Sequence, residues 1–215
     1  HPAERVKAFE ERFEHTLHQA RMLITDTATV RQELIDVFGV SPDRVKSVAL
    51  GIPQVRTDPD LSPLHALELQ QGRYILCVST FEPRKRIDRL VAAHRALPQA
   101  TREAFPLVLA GAEGWHNESL NTLIEEAARD GTVRRLGFVP QHLLDVLYVG
   151  AGLFIYPSRY EGFGLPVVEA MAHGVPCIIG NAACLVEVAQ GAAVVVDPDD
   201  VDAFADAIAG ALADP

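Results

Sequence analysis

The chain has 215 residues, 48% of them apolar and 22% charged, with a formal charge of −10 at pH 7. That length can bury a full core, and the composition excludes a disordered chain. The acidic balance excludes general nucleic-acid binding, which rests on a clustered cationic surface; any phosphate must be held by local groups.

In chain order, Pro2 to Met22 reads as a charged helical stretch, Leu23 to Thr25 as a short apolar strand, Thr27 to Phe38 as a helix and Val45 to Leu50 as a second strand. Residues 1–52 are too few for a separate core and are expected to be the tail of an N-terminal domain with the crossing out of it. Pro53, Pro59 and Pro63 among polar neighbours make 53–72 a linker or surface excursion. From Tyr74 the pattern changes to repeated βα units. Apolar runs at Tyr74 to Thr80, Pro106 to Ala110, Val133 to Phe138, Gly152 to Tyr156, Pro176 to Ile179 and Ala193 to Val196 read as strands. Helical patterns at Ile87 to Leu97, Glu118 to Asp130, His142 to Gly150, Pro166 to His173 and Val201 to Leu212 lie between and after them. Residues 73–215 are therefore expected to form an α/β, Rossmann-like, doubly wound parallel sheet of about six strands. The start at His1 and the end directly after a helix lead to the expectation of a longer protein.

The longest apolar run, around Ala192 to Val196, is far too short for a membrane span, and the N-terminus lacks a signal layout. A cytoplasmic protein is expected, with at most peripheral contact at the inner face of a membrane. Cys77, Cys177 and Cys184 are widely spaced without a C-x-x-C pair, which indicates neither a disulfide framework nor a zinc site. His15 and His18 share a helix face with Glu11 and Glu14, a mixture that is usually solvated, and no metal is expected.

Ligands of an open parallel sheet bind at the carboxyl ends of its strands. Thr80-Phe81-Glu82-Pro83-Arg84-Lys85 ends the first strand of the main sheet; Arg84 offers a planar donor fork and Lys85 a point charge, which together suit a diphosphate. The bland alternative is a solvated helix start, although cations there oppose the dipole. After the fourth strand comes Ser158-Arg159-Tyr160-Glu161-Gly162-Phe163-Gly164-Leu165-Pro166, leading to Glu169. A helix opening at Pro166 would direct the Phe163, Gly164 and Leu165 amides at a phosphate. Glu161 and Glu169, which would repel that phosphate, would accept hydrogen bonds from hydroxyls on either side of it. Taken separately, Glu161 could be a solvated loop acid and Glu169 a first-turn complement to the dipole. A phosphate flanked by polyol on both sides is a nucleotide sugar. Leu136-Gly137-Phe138-Val139-Pro140 offers backbone groups to a flat base, or is an ordinary connection. Ala110-Gly111-Ala112-Glu113-Gly114-Trp115 lacks the full phosphate-loop spacing, and Trp115 is expected to pack in its loop.

These residues resemble a known family. The Glu161-x7-Glu169 spacing, with Gly162-Phe163-Gly164-Leu165-Pro166 inside it and Glu169-Ala170-Met171-Ala172-x-Gly174-x-Pro176 after it, is similar to the signature of retaining GT-B glycosyltransferases of group 1. Glu82-Pro83-Arg84-Lys85, Leu136-Gly137-Phe138-Val139 and Leu185-Val186-Glu187-Val188 extend the resemblance over nearly all of Tyr74 to Pro215. It implies the C-terminal, donor-binding half of a GT-B fold, preceded by the end of the acceptor-side domain. It further implies that Arg84 and Lys85 bind the diphosphate, that Thr80 lies at the donor, that the Val139 backbone meets the base, that Glu161 with the Phe163, Gly164 and Leu165 amides holds sugar and phosphate, and that Glu169 holds the ribose. The implied catalytic set is Arg84, Lys85 and Glu161, with no cofactor and no metal. The family pattern is broken at Ser79-Thr80, where Gly-Arg is frequent, at Cys184 and Val186, where Ser and Pro are common, and at Gln190-Gly191.

The implied activity is transfer of a hexose from a nucleotide-diphosphate sugar to a glycan or lipid-linked acceptor in polysaccharide biosynthesis, the acceptor being met through an N-terminal domain outside this chain. The Glu82-Pro83-Arg84-Lys85 variant and Gly114-Trp115 resemble mannosyl- or rhamnosyl-transferring members, which puts GDP-mannose first as donor, ahead of UDP- or dTDP-sugars. The alternatives are a non-catalytic nucleotide-binding Rossmann module and a GT-B-type sugar-nucleotide epimerase.

Overall fold

The computed structural model describes residues 3–52, 59–114 and 118–213. The chain divides into two compact units, His1–Gly51 and Ile52–Pro215.

The first unit holds α1 (Ala3–Gln19), β1 (Leu23–Thr25), α2 (Ala28–Asp36) and β2 (Val45–Ser47), with β1 and β2 parallel and Leu23 opposite Val45. Thr27 caps α2 by accepting from the Val30 amide, which satisfies one of the four donors a helix start leaves open. Although the stretch was expected to be too short for a core, Leu17, Leu34, Val40 and Val45 gather into a small buried cluster. Arg44 reinforces it by donating to the carbonyls of Leu17 and Ala20 at 2.7 and 2.6 Å, closing the end of α1.

The second unit runs through α3 (Pro63–Ala66), β3 (Ile75–Val78), α4 (Ile87–Ala96), α5 (Gln99–Ala104), β4 (Leu107–Ala110), α6 (Glu118–Ala127), β5 (Val133–Gly137), α7 (Gln141–Gly150), β6 (Leu153–Tyr156), α8 (Leu165–Ala172), β7 (Cys177–Gly180), α9 (Ala183–Ala189), β8 (Val194–Val196) and α10 (Val201–Ala213). The six strands β3 to β8 form one parallel sheet in the order β5-β4-β3-β6-β7-β8. Each expected strand is present; five are shortened at one or both ends, and β7 is shifted by one residue to end at Gly180. Successive side chains point to opposite faces, and both faces are covered. Leu76, Phe154, Tyr156 and Ile179 pack into one core cluster with Leu147 of α7, Val167 of α8 and Leu185 of α9. Ile75, Leu107, Leu109, Ile155 and Ile178 pack into the other with Leu90 of α4, Ile124 of α6 and Phe204 of α10. That burial on both sides is why the strands read as continuous apolar runs. Cys77, Cys177 and Cys184 are buried free thiols, and burial pushes them up to about 12, 12 and 11.

Part of the expected linker belongs to this unit. Residues 53–58 lie outside the described residues, but Leu64 and Leu69 are 3% and 4% exposed and sit in the same cluster as Leu147 and Phe154. Proline at the start of α3 supplies a preset φ for a helix of one turn, and Leu64 packs where a Cβ on Gly150 would lie 2.7 Å from it. Leu64→Ala is expected to lower unfolding stability by about 2–5 kcal/mol in urea melts, the range for a buried leucine. A change within about 0.5 kcal/mol, as for an exposed position, would return this stretch to the status of a tether.

Candidate functional site

The strand order reverses between β3 and β6. After β3 the chain adds strands in one direction and then returns to add β6, β7 and β8 in the other, which opens a crevice at the carboxyl ends of β3 and β6. The loops that follow these two strands carry most of the expected site residues.

After β3, Pro83–Lys85 form a single 3-10 turn, and Arg86 in the left-handed region (φ 52°) separates that turn from α4. Arg84 and Lys85 are thus not first-turn residues of the helix. After β6, the chain crosses Pro157 and Ser158 to Glu161, and Gly164 (φ 98°) caps α8. The positive φ demands glycine there, and a Cβ would also press on the Leu185 methyl at 2.4 Å.

The two loops meet around one carboxylate. Glu161 Oε1 accepts from Lys85 Nζ at 2.5 Å and from Ser158 Oγ at 2.6 Å. Its Oε2 accepts from Arg84 Nη1 at 2.9 Å. Lys85 Nζ also donates to the Tyr156 hydroxyl at 2.7 Å and lies 5.0 Å from the centre of that ring. Arg84 adds a bond from Nε to Glu82 Oε2 at 3.0 Å and one from Nη1 to the Tyr160 carbonyl at 2.9 Å. The backbone seals the junction, with the Arg159 amide donating to the Arg84 carbonyl at 2.9 Å. The Cys184 thiol, where the family commonly has serine, donates to the Glu161 carbonyl at 2.8 Å.

Lys85 and Glu161 are 6% and 8% exposed, and Ser158 is fully buried. Glu161 is therefore not a solvated loop acid. Burial alone would push its carboxyl up, but the Lys85 charge and hydrogen bond, the Ser158 hydroxyl and Arg84 together hold it below the usual glutamate value. Burial works against the Arg84 guanidinium too, and Glu161 with Glu82 outweighs it, so its pKa rises. The Tyr156 phenol is pushed up by burial first and by Glu161 second.

Glu169 belongs to a separate network. Because α8 opens at Leu165, its first turn holds no acidic residue, and Glu169 lies in the second turn, not the first. Its Oε2 accepts from the hydroxyl of the fully buried Tyr148 at 2.9 Å, and the Tyr148 ring stacks on His173 at 5.3 Å. Burial followed by the Glu169 charge raises the Tyr148 phenol.

The remaining expected positions are scattered along the same edge. Thr80 is exposed and donates to Glu82 Oε1 at 3.0 Å. Phe163 is buried and Leu165 is 36% exposed. Val139 packs its side chain into the core, while its neighbour Phe138 stands 79% exposed. Trp115 lies outside the described residues. Among the described residues, no group of three or more His, Cys, Asp or Glu is placed to hold a metal, and no helix is long and apolar enough to cross a membrane. Tyr156, Ser158 and Tyr148 were given no role from their sequence context, although Ser158 opens the run that leads to Glu161 and Glu169.

Residues 66–215 match the family of glycosyl transferases, group 1. The chain belongs to that family. It is 40% identical over 220 residues to O-antigen chain mannosyltransferase B of Escherichia coli, a match that covers 100% of this chain and 57% of that protein. The sucrose-phosphate synthase of Thermosynechococcus elongatus is 27% identical, with a TM-score of 0.75 over 94% of this chain and 51% of the other. HepE of Anabaena, solved with UDP and glucose, shares the fold at 20% identity, with a TM-score of 0.78 over 93% of this chain and 55% of its own. The group 1 chain described here thus spans little more than half the length of these relatives. Its six-stranded parallel sheet is the Rossmann-like half of the GT-B architecture.

The buried Lys85–Glu161 pair makes a sharp prediction. Glu161→Gln strands a buried ammonium, and a loss of about 3–5 kcal/mol in denaturant unfolding is expected. The pH dependence follows from linkage. A carboxyl that is more acidic folded than unfolded binds fewer protons in the native state, so its contribution is complete above the unfolded value near 4.5 and disappears as pH falls through the lower folded value. The acid limb of the stability profile below about pH 4.5 should be shallower in Glu161→Gln than in the parent; superimposable limbs would show that Glu161 is not held ionised by its neighbours.

Proposed function

We propose that the complete protein is a retaining glycosyltransferase that moves a hexose from a nucleoside-diphosphate sugar to a glycan or lipid-linked acceptor in polysaccharide biosynthesis, with GDP-mannose as donor. The second unit of this chain is then the donor-binding half, and the acceptor is met through the part of the protein that this chain does not span. The observation that carries the reading is the meeting of Arg84, Lys85 and Glu161 in the crevice between β3 and β6, beside the start of α8. The 40% identity to a mannosyltransferase supports the choice of sugar.

In this account the leaving diphosphate lies against Arg84 and the opening amides of α8, where preformed donors meet charge that develops as the glycosidic bond breaks. Lys85 acts from beneath. Its ammonium neutralises Glu161, which would otherwise present an uncompensated carboxylate to the departing phosphate. Glu161 in turn fixes both cations and offers its remaining acceptor capacity to a sugar hydroxyl. Glu169, held on one oxygen by Tyr148, has the other for a ribose hydroxyl. Positioning and electrostatics supply the rate enhancement, and no step in this account requires a metal or a cofactor.

Lys85→Ala in the complete protein is expected to reduce turnover by about 10²- to 10³-fold, because it removes a cation and bares Glu161 at once. Near-normal turnover would take Lys85 out of the mechanism. Calorimetry should show heat with GDP or UDP and none with NAD; heat with NAD alone would overturn the transferase reading.

A further inference from the structure

The end of β5 and the loops after β4 and β5 border an open depression of about 450 Å³ lined by Gly111, Ala112, Glu113, Arg135, Gly137 and Phe138. The Phe138 ring stands 79% exposed at this rim, where burial contributes nothing to holding an aromatic side chain. Beside it the Arg135 guanidinium lies 4.7 Å from the centre of the Phe81 ring and donates from Nη2 to Glu113 Oε1 at 2.9 Å. Phe81 is fully buried, so the guanidinium rests on a fixed platform, whereas the Glu113 side chain is 66% exposed and turns acceptor capacity outward. A parallel bridge between Phe81 and Glu113 ties the loops after β3 and β4 together. The wall is close-fitted, since a Cβ on Gly111 would fall 1.8 Å from the Ser79 carbonyl oxygen.

Position along the sheet edge connects this depression to the basic pair. Arg135 and Phe138 stand at the end of β5, two strands from β3, whose end carries Arg84 and Lys85. Two strand spacings amount to about 10 Å, a gap that a ribose and two phosphates can bridge.

The family resemblance already puts the base of the donor at this loop, beside Val139; we propose that here Glu113 with Arg135 makes the depression select guanine, an assignment that rests on the nucleotide-sugar reading above. The selection follows from hydrogen-bond polarity. Along one edge guanine presents an acceptor, O6, followed by two donors, N1–H and N2–H. A guanidinium beside a carboxylate presents a donor followed by acceptors, the complementary order. Adenine reverses the edge: its N6 amino group meets the guanidinium and its N1 lone pair meets the carboxylate. Uracil matches at O4 and N3–H, but its O2 then faces the carboxylate. Phe138 provides a stacking surface that any base can use and that reads none of them.

Titration calorimetry of the full chain with GDP, IDP, ADP and UDP tests the assignment. GDP is expected to bind at least about tenfold more tightly than ADP, a purine of the same size with the opposite edge. IDP, which lacks the N2 amino group, should fall between them. Glu113→Gln should bring GDP down to the level of IDP, and Phe138→Ala should weaken the whole series on the order of tenfold. Equal affinity for GDP and ADP, tighter binding of UDP, or GDP selectivity untouched by Glu113→Gln overturns the guanine assignment while leaving the transferase reading in place. An absence of heat with all four nucleotides overturns the transferase reading as well.

Discussion

The arrangement of the second unit's upper edge depends on an ion pair that is almost completely out of water. Desolvating an ammonium and a carboxylate costs several kcal/mol per ion, and their attraction offsets that only when the remaining lone pairs and protons are also satisfied. At Lys85 and Glu161 they are. Ser158 and Arg84 complete the carboxylate, and Tyr156 takes a further proton of the ammonium. The pair joins residues 76 apart in sequence, so the loops after β3 and β6 have a single mutual register. A third loop is drawn in through Asp199, which pairs with both Arg86 and Arg159. The connections that follow β3, β6 and β8 are therefore braced against one another by charge.

Topology explains why the pair forms where it does. All strands of a parallel sheet end on one edge, but adjacent connections normally leave in the same direction and crowd each other. Only at the reversal between β3 and β6 do they diverge. Across the gap left there, the loops after β3 and β6 bring backbone donors and long side chains together. Gly180, at the end of β7, is part of the same fit, since a Cβ there would lie 2.3 Å from the Ser158 carbonyl oxygen. The wall of the site is thus set by main chain as well as by side chains.

Much of this was legible in the residues and some of it was not, for identifiable reasons. The strands were readable because burial on both faces makes them uninterrupted apolar runs; Leu107–Ala110 and Leu153–Tyr156 are buried at every position. The short helices α3, α5 and α9 were not readable. Four to seven residues barely complete one or two turns of a periodic pattern, and tertiary packing decides their conformation. At the site, the glycine positions and the identity of the charged residues were legible from spacing. The burial of Glu161 was not: an acid in a glycine-rich loop reads as solvated unless cations distant in sequence are known to reach it. Tyr148 and Tyr156 were hidden in the opposite way. Each reads as an apolar core position in its element, and only tertiary structure discloses that its hydroxyl meets Glu169 or Lys85.

The two cations of the basic pair are not equivalent, and the difference follows from their accessibility. Arg84 and Lys85 face Glu82 and Glu161, so the cluster as a whole is close to neutral. The Lys85 side chain is 7% exposed and the Arg84 side chain 37%. An anion arriving from solvent therefore meets the Arg84 guanidinium first, although its Nε and Nη1 already donate to Glu82, Glu161 and the Tyr160 carbonyl. Contact with the ammonium would require it to displace Glu161 from a short, buried bond. Removing Lys85 alters the field under the crevice and leaves Glu161 unmatched, whereas removing Arg84 takes away a contact and leaves the buried pair intact. Under the proposed function, identical formal charges on consecutive residues thus perform different work, one presenting donors to the ligand and the other keeping the acid beneath it neutralised.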